Sequence, residues 1–428
     1  MRFSTPFIFL ICVSLAAGRL SHPVHPEVPV SQHVLSSSEA GHYRRPRIPY
    51  FTHLQDGGAD ARTGFVAFGD SYSAGIGTGL DGPEDECRRG VHAHTQLIAE
   101  DLSASQGGPN ATAFQFLSCT GATTEEILSG GEMSQIDTFN ASHPADFALL
   151  SIGGNDLGFF DVMNACIFRF YDFYSGTCES ALEKSRASIE SEEFESRVQI
   201  LITEILDKVR WEKKPWFFVT MTGYARFFNE MTDGCDEMSF GVWWNGPKLK
   251  KRLRLQMNAL VLAVNAKLRK TVDMVNSRFT RDKVLFVDYD EEFDGYRFCE
   301  ASVTEPDYGR NDTWFFLVGG PDNARNDTRA NHTLDVETLS PTSILVDPSS
   351  CLEPARRSGD WGELALCYMA MAKQRDPTLQ PARGNIYARG NGMWYVPTYY
   401  GKTFHPRTLG HERVRDTIYE AWHELESR

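Results

Sequence analysis

One serine, one glycine, one asparagine and one histidine stand in this chain where together they could carry out acyl transfer. Ser71 lies in Phe65-Val-Ala-Phe-Gly-Asp-Ser-Tyr-Ser-Ala-Gly75, where an apolar run stops at Gly-Asp and delivers a hydroxyl to its tip. Gly121 lies in Cys119-Thr-Gly-Ala-Thr-Thr124, Asn155 in Ser151-Ile-Gly-Gly-Asn-Asp-Leu-Gly158, and His405 in Thr403-Phe-His-Pro406. A serine alcohol is a weak nucleophile at neutral pH, so it needs a base within hydrogen-bond reach and donors for the oxyanion that forms on attack. His405 would be the base, taking the Ser71 proton and passing it to the leaving alcohol. The Ser71 and Gly121 backbone N–H groups and the Asn155 amide would be the donors. Glycine suits position 121 because a side chain would obstruct the backbone's approach to substrate.

Each block also has a plainer reading. Gly-Asp-Ser is a common turn tripeptide, Gly153-Gly154-Asn155-Asp156 could be a turn alone, and His405 before a proline could serve only to set the last helix. Ser73 is a second candidate nucleophile and His411 a second candidate base. The common elbow Gly-x-Ser-x-Gly is not present, since Ser73 occupies the place of its last glycine. Asp70, beside Ser71, would orient the turn through its own hydrogen bonds.

The elements that must position these residues decide between the readings. From Gly64 onward, short apolar runs alternate with longer amphipathic stretches, the signature of repeated strand-helix units. Strands are predicted at Phe65–Phe68, Ala113–Leu117, Phe147–Ile152, Trp216–Met221 and Val284–Val287. Ser180–Trp211 and Pro247–Phe279 carry apolar residues at three- and four-residue spacing and predict helices, and a last helix is expected from about Pro406 to Leu425. Right-handed crossovers would assemble these units into a three-layer α/β/α sandwich around a five-stranded, mostly parallel sheet, with ligands outside the strand C-termini. Ser71, Gly121 and Asn155 all follow predicted strands at that edge.

These four blocks, in this order, resemble the SGNH (GDSL-type) hydrolases, whose flavodoxin-like fold and serine esterase chemistry they imply. The family motif places the nucleophile directly after Gly-Asp, which favours Ser71 over Ser73. Its Phe-His-Pro block ahead of a helix favours His405 over His411. Many members have an aspartate three residues before the histidine, where this chain has Lys402. The Gly-Asp-Ser-Tyr-Ser-Ala-Gly, Ile-Gly-Gly-Asn-Asp-Leu-Gly-Phe and Phe-His-Pro segments are similar to the secreted SEST-like esterases, in which a backbone carbonyl replaces that aspartate. The resemblance thus implies the Lys402 carbonyl as the group orienting His405. It is weak between about Asp294 and Tyr400, so the substrate pocket is expected to differ there.

Composition bounds the rest. The chain has 428 residues and a formal charge of -14. That charge argues against a nucleic-acid partner, and the basic run Leu249-Lys-Lys-Arg-Leu-Arg254 reads as a solvated helix face. Residues 1–18 read as a signal peptide, 19–63 as a flexible lead or pro-segment, and 64–428 as one hydrolase domain with an irregular insertion at about 290–400. Removing Cys12 with the signal leaves eight cysteines, an even number suited to an oxidising compartment. Spacing suggests Cys87 with Cys119, Cys166 with Cys178, and Cys351 with Cys367, leaving Cys235 with Cys299. Sequons at Asn110, Asn140, Asn311, Asn326 and Asn331 offer glycan sites on a secreted surface.

The expectation is therefore a secreted, extracellular, monomeric ester hydrolase without metal, cofactor or integral membrane segment. Its substrate could be a small ester, a lipid or an acylated polysaccharide. Aromatics such as Phe159, Phe160, Tyr224, Phe227, Phe228, Trp243 and Trp244 are candidates to line the site. The rival expectation is a catalytically silent carbohydrate-binding protein on a hydrolase fold.

Overall fold

A computed structural model of the chain describes residues 63–109, 111–131, 133–168, 177–240, 247–324, 349–354, 367, 371 and 398–427. Five strands, β1 (Gly64–Gly69), β2 (Ala113–Phe116), β3 (Phe147–Ser151), β4 (Phe218–Thr222) and β5 (Val284–Val287), form one sheet in the order β2-β1-β3-β4-β5. Every pairing in it is parallel. These are the five predicted runs, with ends shifted by a residue or two. β1, β3 and β4 are buried along their whole length because helices cover both faces of the sheet, which is why they read as continuous apolar runs.

The helices, in chain order, are α1 (Ser71–Ala74), α2 (His94–Ser105), α3 (Thr124–Ile127), α4 (Gln135–Thr138), α5 (Phe159–Met163), α6 (Cys178–Glu190), α7 (Glu192–Val209), α8 (Lys251–Asn276), α9 (Thr398–Gly401) and α10 (Thr408–Ser427). α2 packs on α10, while α6, α7 and α8 pack on one another. Right-handed crossovers place the first pair on one face of the sheet and the second group on the other, a three-layer sandwich. The single helix predicted over 180–211 is two: the Ser191 hydroxyl accepts the Phe194 N–H at 3.2 Å and caps α7, so the chain breaks there instead of running on.

Parallel register lines up one side chain per strand. Phe65 pairs with Phe114 and with Phe147, and Phe147 with Phe218, so four phenylalanines cross the sheet as a ladder. Phe65 stacks on Phe114 at 4.4 Å and on Phe147 at 4.7 Å. Trp422 of α10 closes over the ladder edge-on to Phe147 and Phe218, and its indole N–H donates to the Thr220 hydroxyl at 2.8 Å. The polar atom of the largest fully buried side chain is thereby satisfied.

The chain leaves β1 toward β2 on one side and returns past β1 to build β3, so the connections part outside the β1 and β3 C-termini. That crevice is the ligand position of open α/β sheets. Four disulfides join Cys87–Cys119, Cys166–Cys178, Cys235–Cys299 and Cys351–Cys367. Asn140 and Asn311 are exposed, whereas Asn110, Asn326, Asn331, Trp243 and Trp244 lie outside the described residues.

Candidate active site

β1 ends in a turn that only glycine permits. Gly69 has φ 135°, and a Cβ there would sit 2.1 Å from the Ser151 carbonyl of the neighbouring strand. Asp70 follows as N-cap of α1, its Oδ1 accepting the Tyr72 N–H at 3.0 Å. Ser71 is thus the first residue of a helical turn, where a backbone N–H has no acceptor within the helix.

Ser71 Oγ lies 2.7 Å from His405 Nε2, across 334 residues of sequence. The other ring nitrogen, Nδ1, lies 3.2 Å from the Thr403 carbonyl. This corrects the expectation for Lys402, whose carbonyl accepts the backbone N–H of His405 at 2.9 Å. The reason is local: Phe404 adopts φ 65°, which turns the chain so that the carbonyl two residues before the imidazole faces it. No carboxylate partner of the imidazole is found among the described residues. Burial pushes the His405 pKa down to about 4, while the Thr403 and Lys402 carbonyls act in the opposite direction. The Lys402 ammonium sits 4.6 Å over the Phe316 ring, and burial draws its pKa down to about 8.

The other two blocks are fastened to each other. Gly121 has φ 88°, and the next residue, Ala122, offers its carbonyl to Asn155 Nδ2 at 2.9 Å. Asp156 accepts the Thr124 N–H at 3.0 Å and the Thr124 hydroxyl at 2.5 Å. Cys87–Cys119 and a Thr120 N–H to Cys87 carbonyl bond of 3.1 Å hold the approach to Gly121. Ser71, Asn155 and His405 line one cavity, and Asn155 is tied through the Ala122 carbonyl to the residue after Gly121.

The rival residues are occupied elsewhere. Ser73 is fully buried, its Oγ 2.7 Å from that of Ser118. His411 Nδ1 accepts the His94 N–H at 3.2 Å, the two rings stack, and burial pushes the His411 pKa well below its ordinary value.

The cavity beside Ser71 and His405 is partly open to solvent. Its walls are Leu157, Phe159, Phe160, Val162, Met163 and Phe168 from the segment after β3, Ile189 from α6, Phe227, and Met257, Leu260, Val261 and Val264 from α8. Ser185 of α6 is the polar side chain among them away from the reacting groups. Of the aromatics expected to line the site, Phe159, Phe160, Tyr224 and Phe227 do so. Phe228 instead packs on Phe404, ring centroids 5.5 Å apart.

Several residues that hold this site left no sign in the sequence reading. Phe404 donates to the Phe316 carbonyl and Phe316 to the His405 carbonyl, both at 2.9 Å, so a strand-like bridge from the insertion grips the histidine loop. Asp322 Oδ1 accepts the Thr408 N–H at 2.9 Å and Asn323 Oδ1 the Leu409 N–H at 3.0 Å, capping α10 from 86 residues away.

The GDSL-like Lipase/Acylhydrolase family model matches residues 65–333, well over half of the chain. The chain belongs to that family. The match takes in the Ser71, Gly121 and Asn155 blocks and stops short of His405. This GDSL-family chain is 32% identical to Lipase 1 of Streptomyces coelicolor over 169 residues, 39% of the chain and 54% of that relative. It thus spans just over half of the relative's length. A lipase of Streptomyces rimosus is 28% identical over 57% of the chain and 78% of its own length. Among solved structures, the extracellular lipase of Streptomyces rimosus superposes with a TM-score of 0.43 at 27% identity, covering 57% of the chain and 89% of that structure. No helix among the described residues is long and apolar enough to cross a membrane.

Proposed function

We propose that this GDSL-family protein is a secreted serine ester hydrolase that cleaves esters of lipophilic acyl chains. The observation that carries the reading is the Ser71–His405 contact of 2.7 Å at the mouth of a cavity walled by apolar side chains. Ser71 Oγ attacks the acyl carbonyl as His405 Nε2 takes its proton, and the tetrahedral oxyanion is received by the Ser71 and Gly121 N–H groups and Asn155 Nδ2. Collapse expels the alcohol, protonated by His405. Water then enters by the same route and releases the acid from the acyl-serine. The Thr403 carbonyl stabilises the imidazolium as a dipole, with Lys402 second to it.

A long acyl chain gains by leaving water for walls of Leu, Phe, Val and Met. A sugar would strand its hydroxyls there, since an unpaired buried hydroxyl is costly. The lining therefore supports a lipid-type substrate over an acylated polysaccharide, and disfavours the silent carbohydrate-binding reading. Four disulfides and exposed sequons support an oxidising, extracellular setting. The test is a series of p-nitrophenyl esters of rising chain length beside acetylated xylan, with fluorophosphonate labelling of wild type and Ser71→Ala. Rising kcat/KM with chain length and labelling lost in Ser71→Ala are expected. Preference for xylan, or labelling retained in that variant, overturns the reading.

A further inference from the structure

Tyr72 follows Ser71 on the same helical turn, yet its hydroxyl does not serve that turn. It donates to the carbonyl of Phe404 at 2.7 Å, the residue directly before His405. Its ring lies 4.8 Å from the imidazole and 5.0 Å from the Tyr224 ring. Phe404 is where the histidine loop is strained: a non-glycine residue at φ 65° costs energy and persists only when its surroundings over-determine it. Its ring is packed by Phe227, Phe228 and Phe298, its N–H is held by Phe316, and its carbonyl is held by Tyr72.

We propose that Tyr72 is a positioning residue for the base: its hydroxyl fastens the histidine loop to the nucleophile's own turn and so sets the Ser71–His405 contact, which no carboxylate among the described residues does. The inference rests on the Ser71–His405 reading of the site. Orientation is the task a carboxylate performs in a triad besides stabilising charge. Here a neutral carbonyl at 3.2 Å holds Nδ1, a weaker restraint than an ion pair, and the rotation of the Phe404–His405 peptide must be fixed by other means. A tether from residue 72 to residue 404 does this with the shortest lever available, because each end is one residue from a reacting group. Small displacements of reacting atoms are costly in rate, so one hydroxyl can matter without touching substrate.

Tyr72→Phe keeps the ring and its packing and removes only the tether. Its kcat on a p-nitrophenyl ester is expected to fall about tenfold to a hundredfold with KM within about twofold. Loosening the loop admits water to an imidazole whose pKa burial holds near 4, so the acid limb of kcat/KM should move up toward about 6.5. On a His405→Ala background the same change should have no further effect, because Tyr72 acts through His405. Wild-type kcat and acid limb in Tyr72→Phe overturn the proposal, as does an equal loss on both backgrounds, the mark of a general structural role. Should Ser71→Ala or His405→Ala itself keep activity, the site reading fails before Tyr72 is tested.

Discussion

The Tyr224 hydroxyl donates to Asp70 Oδ2 at 2.9 Å and at the same oxygen accepts the Gly154 N–H at 3.0 Å, joining the nucleophile turn to the loop that carries Asn155. Asp70 is buried, and that burial raises its pKa to about 7 against the hydrogen bonds from Tyr224 and the Tyr72 N–H. A carboxyl raised in the folded state contributes stability below its unfolded pKa and loses it as pH rises through the folded one. Asp70→Asn keeps an acceptor for Tyr72 and gives Tyr224 a donor, while removing the buried charge. Its unfolding free energy from urea titration should exceed that of wild type at pH 8, by roughly 1–3 kcal/mol, with the gap closing toward pH 4. Parallel curves across that range would mean the carboxyl is not the strained group.

His405 must be neutral to act as base, and burial lowers its pKa to about 4. The expected pH profile of kcat/KM rises through about pH 4 and is flat by neutrality. His405→Ala should lose nearly all activity. Lys402→Ala leaves every backbone carbonyl in place and removes only the cation above Phe316, so it should retain most of it. A Lys402→Ala loss as deep as that of His405→Ala would call for an ionic role at 402.

Asn155 Nδ2 is held by the Ala122 carbonyl at 2.9 Å, which fixes the amide beside the cavity before substrate arrives. Preorganised oxyanion donors act chiefly in the transition state. Asn155→Ala should therefore lower kcat by roughly 10²–10³ with little change in KM. Steady-state kinetics on one chromogenic ester settles it: a kcat near wild type removes Asn155 from the reaction.

Asn265 of α8 is bound to the Tyr224 backbone, and its neighbour Val264 lines the cavity. Met257 stands two turns earlier on the same helix, about 10 Å along it. Met257→Trp should cut hydrolysis of long-chain p-nitrophenyl esters by about tenfold or more while leaving acetate and butyrate within about twofold. Equal losses at every chain length would show that the acyl group does not run along α8.

The sheet was legible because β1, β3 and β4 are buried on both faces and so stand out as short, unbroken apolar runs between polar stretches. The proposed nucleophile and oxyanion donor were legible as candidates because Gly69-Asp70-Ser71 and Gly153-Gly154-Asn155 are local turns at strand ends. What holds His405 was not. The contacts of Tyr72 with Phe404, Phe316 with His405, and Asp322 with Thr408 join a side chain or backbone group to a partner distant in sequence, and no periodicity or spacing encodes them. Thr403 was missed in favour of Lys402 for a related reason. Which carbonyl faces the imidazole depends on the left-handed turn at Phe404, and a phenylalanine gives no sign of one. Ser191 is different: a serine ahead of Glu-Glu-Phe is an N-cap signal within the predicted helix, readable in principle.

The span of 334 residues between Ser71 and His405 gives the protein a built-in sense of completeness. The sheet and the nucleophile turn draw on residues that emerge from the ribosome long before the histidine does, whereas the cavity takes Tyr400, Gly401 and Thr403 from the histidine's own segment. The proposed base arrives just ahead of α10, docked by Phe316, Asp322 and Asn323. A chain without the last helix lacks Trp422 over the phenylalanine ladder as well as the helix that follows His405, so core and site are lost together. On the proposed mechanism, esterase activity would therefore report the docking of the segment that carries His405 as well as the folding of the sheet.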